Sequence, residues 1–165
     1  MNKKINKILA CVDFSKYSLL TLGYALEFAN KTQSRVLLLN VINQRDISGV
    51  EMGSVYFPGY FANNINMEEY AKDVEDERYE SLKQLVKEKF IHDKSLINLR
   101  VDMGIPSECI LKTVEAEDID LIVMANKGRG NISRFLFGST AEKVFRHSPV
   151  PVVSVRDKMI FKRGD

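Results

Sequence analysis

Five short strand-like runs, alternating with four stretches of helical spacing, leave this chain few folds to choose from. Residues 7–12 (KILACV) and 35–42 (RVLLLNVI) are nearly continuous in apolar character, and 96–101, 120–125 and 151–155 read as three further strands. Such runs are expected of strands buried on both faces rather than strands with one wet face. Between them, apolar residues recur every three or four positions. Leu19, Leu22, Ala25, Leu26 and Ala29 make one stripe, with Ser15 placed to cap that helix. Met67, Tyr70, Ala71, Val74, Leu82, Leu85 and Val86 mark a long helix over 67–90. Ile110, Leu111 and Val114 follow Pro106, which suits a first helical turn. Residues 139–147 form a short last helix. The alternation predicts an α/β fold: a parallel sheet with right-handed crossovers and helices on both faces.

Residues 43–66 interrupt this rhythm and read as a long loop inserted in one domain spanning 1–156, with 157–165 as a basic tail. Connections of that length are usually functional or mobile. Tyr56, Phe57, Tyr60 and Phe61 speak against plain disorder, and suit either a cover for a pocket or a subunit contact. A chain of 165 residues with a net charge of +2 is consistent with one soluble domain and gives no reason to expect nucleic acid. No apolar run approaches the roughly 20 residues that span a bilayer. The amino-terminal run is short and broken by Asp13, so no leader is expected and the cytoplasm is the expected compartment. Cys11 and Cys109 form no CxxC pair and read as buried free thiols. Two cysteines and two histidines this scattered give no metal cluster.

In a parallel sheet of this kind, ligands bind beyond the carboxyl ends of the strands, where strand order reverses. Two features fall at such ends. One is Asp13, after the first strand, whose carboxylate can accept hydrogen bonds from ribose hydroxyls or cap the helix together with Ser15. The other is ANKGRGNISRFLFGST, residues 125–140, after the fourth. It carries Gly128, Gly130 and Gly138, the cations Lys127, Arg129 and Arg134, and a Ser139–Thr140 pair opening a helix. These are the parts of a phosphate cradle: glycines for close approach and outward N–H groups on a helix start. A second reading stands beside it, because Ser139 and Glu142 have the spacing of a capping box that satisfies the helix without any ligand. The Walker pattern is absent, and GxGxxG is missed because Ser133 stands in its last place.

Together these residues resemble the universal stress protein family. The resemblance rests on the signature G-x2-G-x9-G-[ST], here Ala125-x2-Gly128-x9-Gly138-Ser139, with alanine in place of the first glycine. KILACVDFSKYS, VLLLNVI, GIPSECIL and GSTAEKVFRHSPVPVVSV carry it further, over most of the chain outside 43–66 and the tail. It implies a five-stranded, Rossmann-like parallel sheet of order 3-2-1-4-5 and a homodimer paired through the last strand. It also implies ATP, accompanied by Mg2+, in the switch-point crevice. Val12 and Asp13 would then lie against adenine and ribose, and Val41 would line the adenine pocket. Met124 and Ala125 would sit beside the ribose, and Gly128, Gly138, Ser139 and Thr140 would hold the phosphates. The role implied is a stress-response regulatory module with an unidentified protein partner. Catalysis beyond slow ATP hydrolysis is not expected, since no base stands beside the loop. His147 falls at the far end of the last helix, and His92 follows the long one. The family also contains members without the glycines that bind no ATP. The alternative is therefore a dimerisation module whose pocket Ala125 has closed.

Overall fold

A computed structural model describes residues 4–56, 66–126 and 138–156. Its elements are β1 (Lys7–Cys11), α1 (Ser18–Thr32), β2 (Arg35–Asn43), α2 (Gln44–Tyr56), α3 (Met67–Lys89), a short 3-10 helix (Ile91–Leu96), β3 (Ile97–Gly104), α4 (Pro106–Ala116), β4 (Leu121–Ala125), α5 (Ser139–His147) and β5 (Val152–Val155). The five strands form one sheet of order β3-β2-β1-β4-β5, and every pairing is parallel. The expected architecture and strand order are both present.

The unbroken apolar runs have a plain cause. Alternate residues of β1, β2, β4 and β5 enter two separate cores, whereas β3, at the sheet edge, gives Ile97, Leu99 and Val101 to one of them only. Ile8, Ala10 and Val12 of β1 face α1 and α3, meeting Leu22, Ala25, Leu82 and Val86. Leu9 and its neighbours Leu39, Ile122 and Met124 face α4 and α5, meeting Ile110, Val114, Ala141 and Val144. Asp120 fixes the start of this arrangement, its Oδ2 accepting from the backbone N–H groups of Asn6 at 2.9 Å and Lys7 at 3.2 Å. That bond sets the register in which Cys11 lies beside Met124, and so brings the carboxyl ends of β1 and β4 level.

Several local expectations are corrected. The long connection is not all loop, since Gln44–Tyr56 is helical. Asn43 Oδ1 accepts from Arg45 N at 3.1 Å and Ser48 Oγ donates to Gln44 O at 3.0 Å. Tyr56 is 71% exposed, while Phe57, Tyr60 and Phe61 lie outside the described residues. Leu19 is also exposed, at 43%, so the buried stripe of α1 runs instead through Ser18, Thr21, Leu22, Ala25, Leu26 and Ala29. Along α3 only Leu82 and Val86 are buried, while Met67, Tyr70, Ala71, Val74 and Leu85 are half-buried. β3 continues three residues beyond the expected end, to Gly104.

Both cysteines are half-buried and free. Burial pushes the Cys11 thiol up to about 12. Cys109 is also raised, by burial first and then by Asp102 and Glu108. At pH 8 the thiolate fraction of Cys11 is then about one in ten thousand. Native protein treated with iodoacetamide should leave Cys11 unmodified by peptide mass spectrometry. Alkylation at the rate of free cysteine would contradict this burial.

Candidate functional site

The order in which strands are added reverses at β1. The chain runs outward through β2 and β3, then returns to place β4 on β1's other side. The predicted residues gather at the carboxyl ends of these three adjacent strands. Val12 is buried and donates its N–H to Leu39 O at 2.9 Å, the last ladder bond before the chain leaves β1. Asp13 follows, half-buried. Its Oδ1 accepts from Ser15 N at 3.0 Å and Ser18 Oγ at 3.4 Å. Phe14 has φ 59°, a left-handed conformation that an aromatic residue adopts only at some cost. Its ring packs against the α1/α3 core, and the Arg78 guanidinium of α3 lies 5.4 Å from its centroid.

Ser15 does not cap α1 as expected. Tyr17 occupies the N-cap, while Ser15 O accepts from Ser18 N at 3.0 Å and Ser15 Oγ from Tyr17 N at 3.3 Å. Asp13 and Ser15 therefore hold the turn that precedes the helix.

Val41 lies near the end of β2 on the α4/α5 side, packed against the same core as Cys11. Met124 is buried, and Ala125 is half-buried in the last position of β4. Ala125 is not among the residues with positive φ, so a glycine's backbone freedom is not needed at this position. Asn126 O then accepts from Gly138 N at 3.0 Å, which brings the start of α5 against the end of β4. Gly128 and the three cations of the loop lie outside the described residues.

Gly138, not Ser139, is the N-cap of α5. The capping box is consequently out of register. Glu142 sits one position too late for it, donating its N–H to Gly138 O at 2.9 Å while its carboxylate takes Arg146 at 3.0 Å. An N-cap glycine offers no side chain to the first-turn N–H groups of Ser139 and Thr140. Glycine is also not demanded there by the fold. Its φ of −61° suits any residue, and among the described residues an added Cβ would meet only Asn126 O, at an ordinary 3.6 Å. Among the described residues no side chain caps this helix start, and the partial positive charge of that start favours an anion.

His147 lies exposed in the last turn of α5, at the opposite end from Gly138, and His92 is exposed in the 3-10 helix. Among the described residues no group of three or more His, Cys, Asp or Glu is placed to hold a metal. None of the described helices is long and apolar enough to cross a membrane. Two contributors to this region were not singled out from the sequence, Phe14 and Asn40. Asn40 is a buried amide on β2 that donates to Val12 O at 2.8 Å. Its signal was present, as the one amide inside the apolar run VLLLNVI.

The model of the universal stress protein family matches residues 4–156. The universal stress protein MJ0577 of Methanocaldococcus jannaschii is 30% identical over 161 residues, covering 96% of this chain and 99% of that one. Its solved structure aligns with a TM-score of 0.74 at 28% identity, covering 94% and 99% of the two chains. A putative universal stress protein of Staphylococcus aureus is 27% identical over 150 residues, 90% of this chain and 82% of that one. A universal stress protein solved in complex with cAMP shares the fold, with a TM-score of 0.59 at 17% identity over 93% and 98% of the two chains.

Proposed function

The chain belongs to the universal stress protein family, and we propose that it is a stress-response regulatory protein holding ATP, or another adenine nucleotide, in the crevice between β1 and β4. The observation that carries this reading is the bare start of α5. Among the described residues no side chain caps it, and Asn126 ties it to the strand end beside Asp13. The same fold accommodates an adenine nucleotide in the universal stress protein solved with cAMP.

In this reading Val41 and Val12 border the adenine. Asp13 accepts from the ribose hydroxyls, exchanging its hold on Ser18 for the ligand. Met124 and Ala125 flank the ribose. Gly128, Gly138, Ser139 and Thr140 take the phosphates, with N–H groups and hydroxyls as donors. Mg2+ comes with the triphosphate and screens its charge. The exposed side of β5, an edge strand, is the surface through which two copies pair. The pair serves as a nucleotide-dependent module for a protein partner. No histidine stands near the phosphate end, so turnover is slow at most.

Calorimetric titration with Mg-ATP tests the reading directly. A dissociation constant in the micromolar range is expected. An absence of binding at millimolar ATP would favour the dimerisation module instead. Ala125→Gly should change the affinity by less than about tenfold, because the alanine carries no left-handed strain and adds one methyl at the rim. A gain of several hundredfold would mean that this methyl blocks the pocket.

A further inference from the structure

The layer of β2 that faces α1 and α3 consists of Val36, Leu38, Asn40 and Ile42, all buried, at 0%, 0%, 3% and 5% exposure. Three are aliphatic and one is an amide. An amide in such a layer is unfavourable unless it is hydrogen-bonded, and this one is bonded on one side only. Its Nδ2 donates to Val12 O at 2.8 Å, whereas its Oδ1 meets no partner among the described residues. Packing alone would be better served by leucine.

What the amide does accomplish is local. Val12 N makes the final ladder bond of β1, to Leu39 O, and the next residues turn away, with Phe14 at φ 59°. A carbonyl at this departure point would have no strand partner. Asn40 supplies one and thereby fixes the plane of the peptide linking Val12 to Asp13. A second tether acts one residue further on, where Arg78 of α3 sits over the Phe14 ring. Asp13 is thus held between two anchored neighbours, and its own Oδ1 is aligned by Ser15 N and Ser18 Oγ.

We infer that Asn40 is a positioning residue: it holds the Val12 carbonyl so that Asp13 is set for a ligand before the ligand arrives. The part of this inference that concerns nucleotide rests on the function proposed above. The hold on the turn does not.

The test compares the full-length protein with Asn40→Leu and Asn40→His. Leucine continues the apolar layer but cannot donate, while the imidazole N–H can donate at a similar reach. Hydrogen exchange is read over residues 12–18, where the amides of Ser15 and Ser18 report the turn, and Mg-ATP affinity is read by calorimetry. In Asn40→Leu, exchange over 12–18 should accelerate at least about tenfold with the sheet unaffected, and affinity should fall by about tenfold, both recovering in Asn40→His. Unchanged exchange over 12–18 in the leucine variant overturns the inference, as does acceleration spread evenly across all strands, which marks a purely structural residue. If exchange behaves as expected but affinity matches the wild type, the link to ligand positioning is wrong. If the wild type itself binds no nucleotide, the proposed function fails, while the exchange comparison still decides what Asn40 holds. Should Asn40→Leu not fold, Asn40→Ala gives the same readouts without added bulk.

Discussion

Gly138→Val should weaken Mg-ATP binding by at least about a hundredfold, roughly 2.7 kcal/mol, and lower Tm by no more than about 4 °C. The asymmetry follows from the geometry. Among the described residues a Cβ at this position meets only Asn126 O, at 3.6 Å, and φ −61° with ψ 145° lies in a region that valine favours. The hydrogen bond from Gly138 N to Asn126 O does not depend on the side chain. The cost to the fold is then limited to a poorer N-cap, on the order of 1 kcal/mol. The cost to an anion is much larger, because three carbons would occupy the space before the Ser139 and Thr140 N–H groups. Calorimetry and thermal unfolding on the same preparation separate the two effects. Wild-type affinity in the variant would mean that phosphates do not sit at the start of α5. A collapse of Tm would mean that the glycine serves the fold.

The glycine could be seen in the sequence, but its position in the helix could not. Ser139 and Glu142 have capping-box spacing, yet the helix begins so that Gly138 takes the cap and Glu142 turns to Arg146. A one-residue shift decides between a closed helix start and an open one, and spacing alone does not resolve it. The strands were easier to read, because burial on both faces makes β1, β2 and β4 nearly unbroken apolar runs and the edge strand β3 still keeps its inward Ile97, Leu99 and Val101, and each observed strand end lies within three residues of its expected place. Strand order came from the family resemblance, since apolar runs carry no record of which neighbour they pair with. α2 was missed for a physical reason. Gly49 and Gly53 each disfavour a helix interior by about 1 kcal/mol, and the segment has no strong apolar stripe. Its cap, Asn43, was hidden as the last residue of a strand. The left-handed Phe14 was equally hidden, because nothing in VDFSKYS marks an aromatic for positive φ.

Leu9→Ala should destabilise the protein by about 2–5 kcal/mol, a large share of the roughly 5–15 kcal/mol that holds a typical domain together. Leu9 is fully buried at the middle of β1, itself the central strand, in register with Leu37 on one side and Ile122 on the other. It faces the α4/α5 core, where Ile110, Val114 and Val144 are drawn from two different helices. Neither helix can shift to fill the space without losing its own packing, so most of the cavity should persist. Urea unfolding gives the number, and a loss below about 1 kcal/mol would mean that this core is looser than its burial implies. The substitution also separates stability from binding. Leu9 shares its core with Met124 and Val41 but lies at the middle of β1, away from the turn at Asp13 and the start of α5, so folded Leu9→Ala should stay within about tenfold of the wild-type affinity. ATP at a hundred times its dissociation constant should then restore about 2.7 kcal/mol to wild type and Leu9→Ala alike, and almost nothing to Gly138→Val. Equal rescue of all three would mean that the nucleotide stabilises the chain from somewhere other than the crevice between β1 and β4.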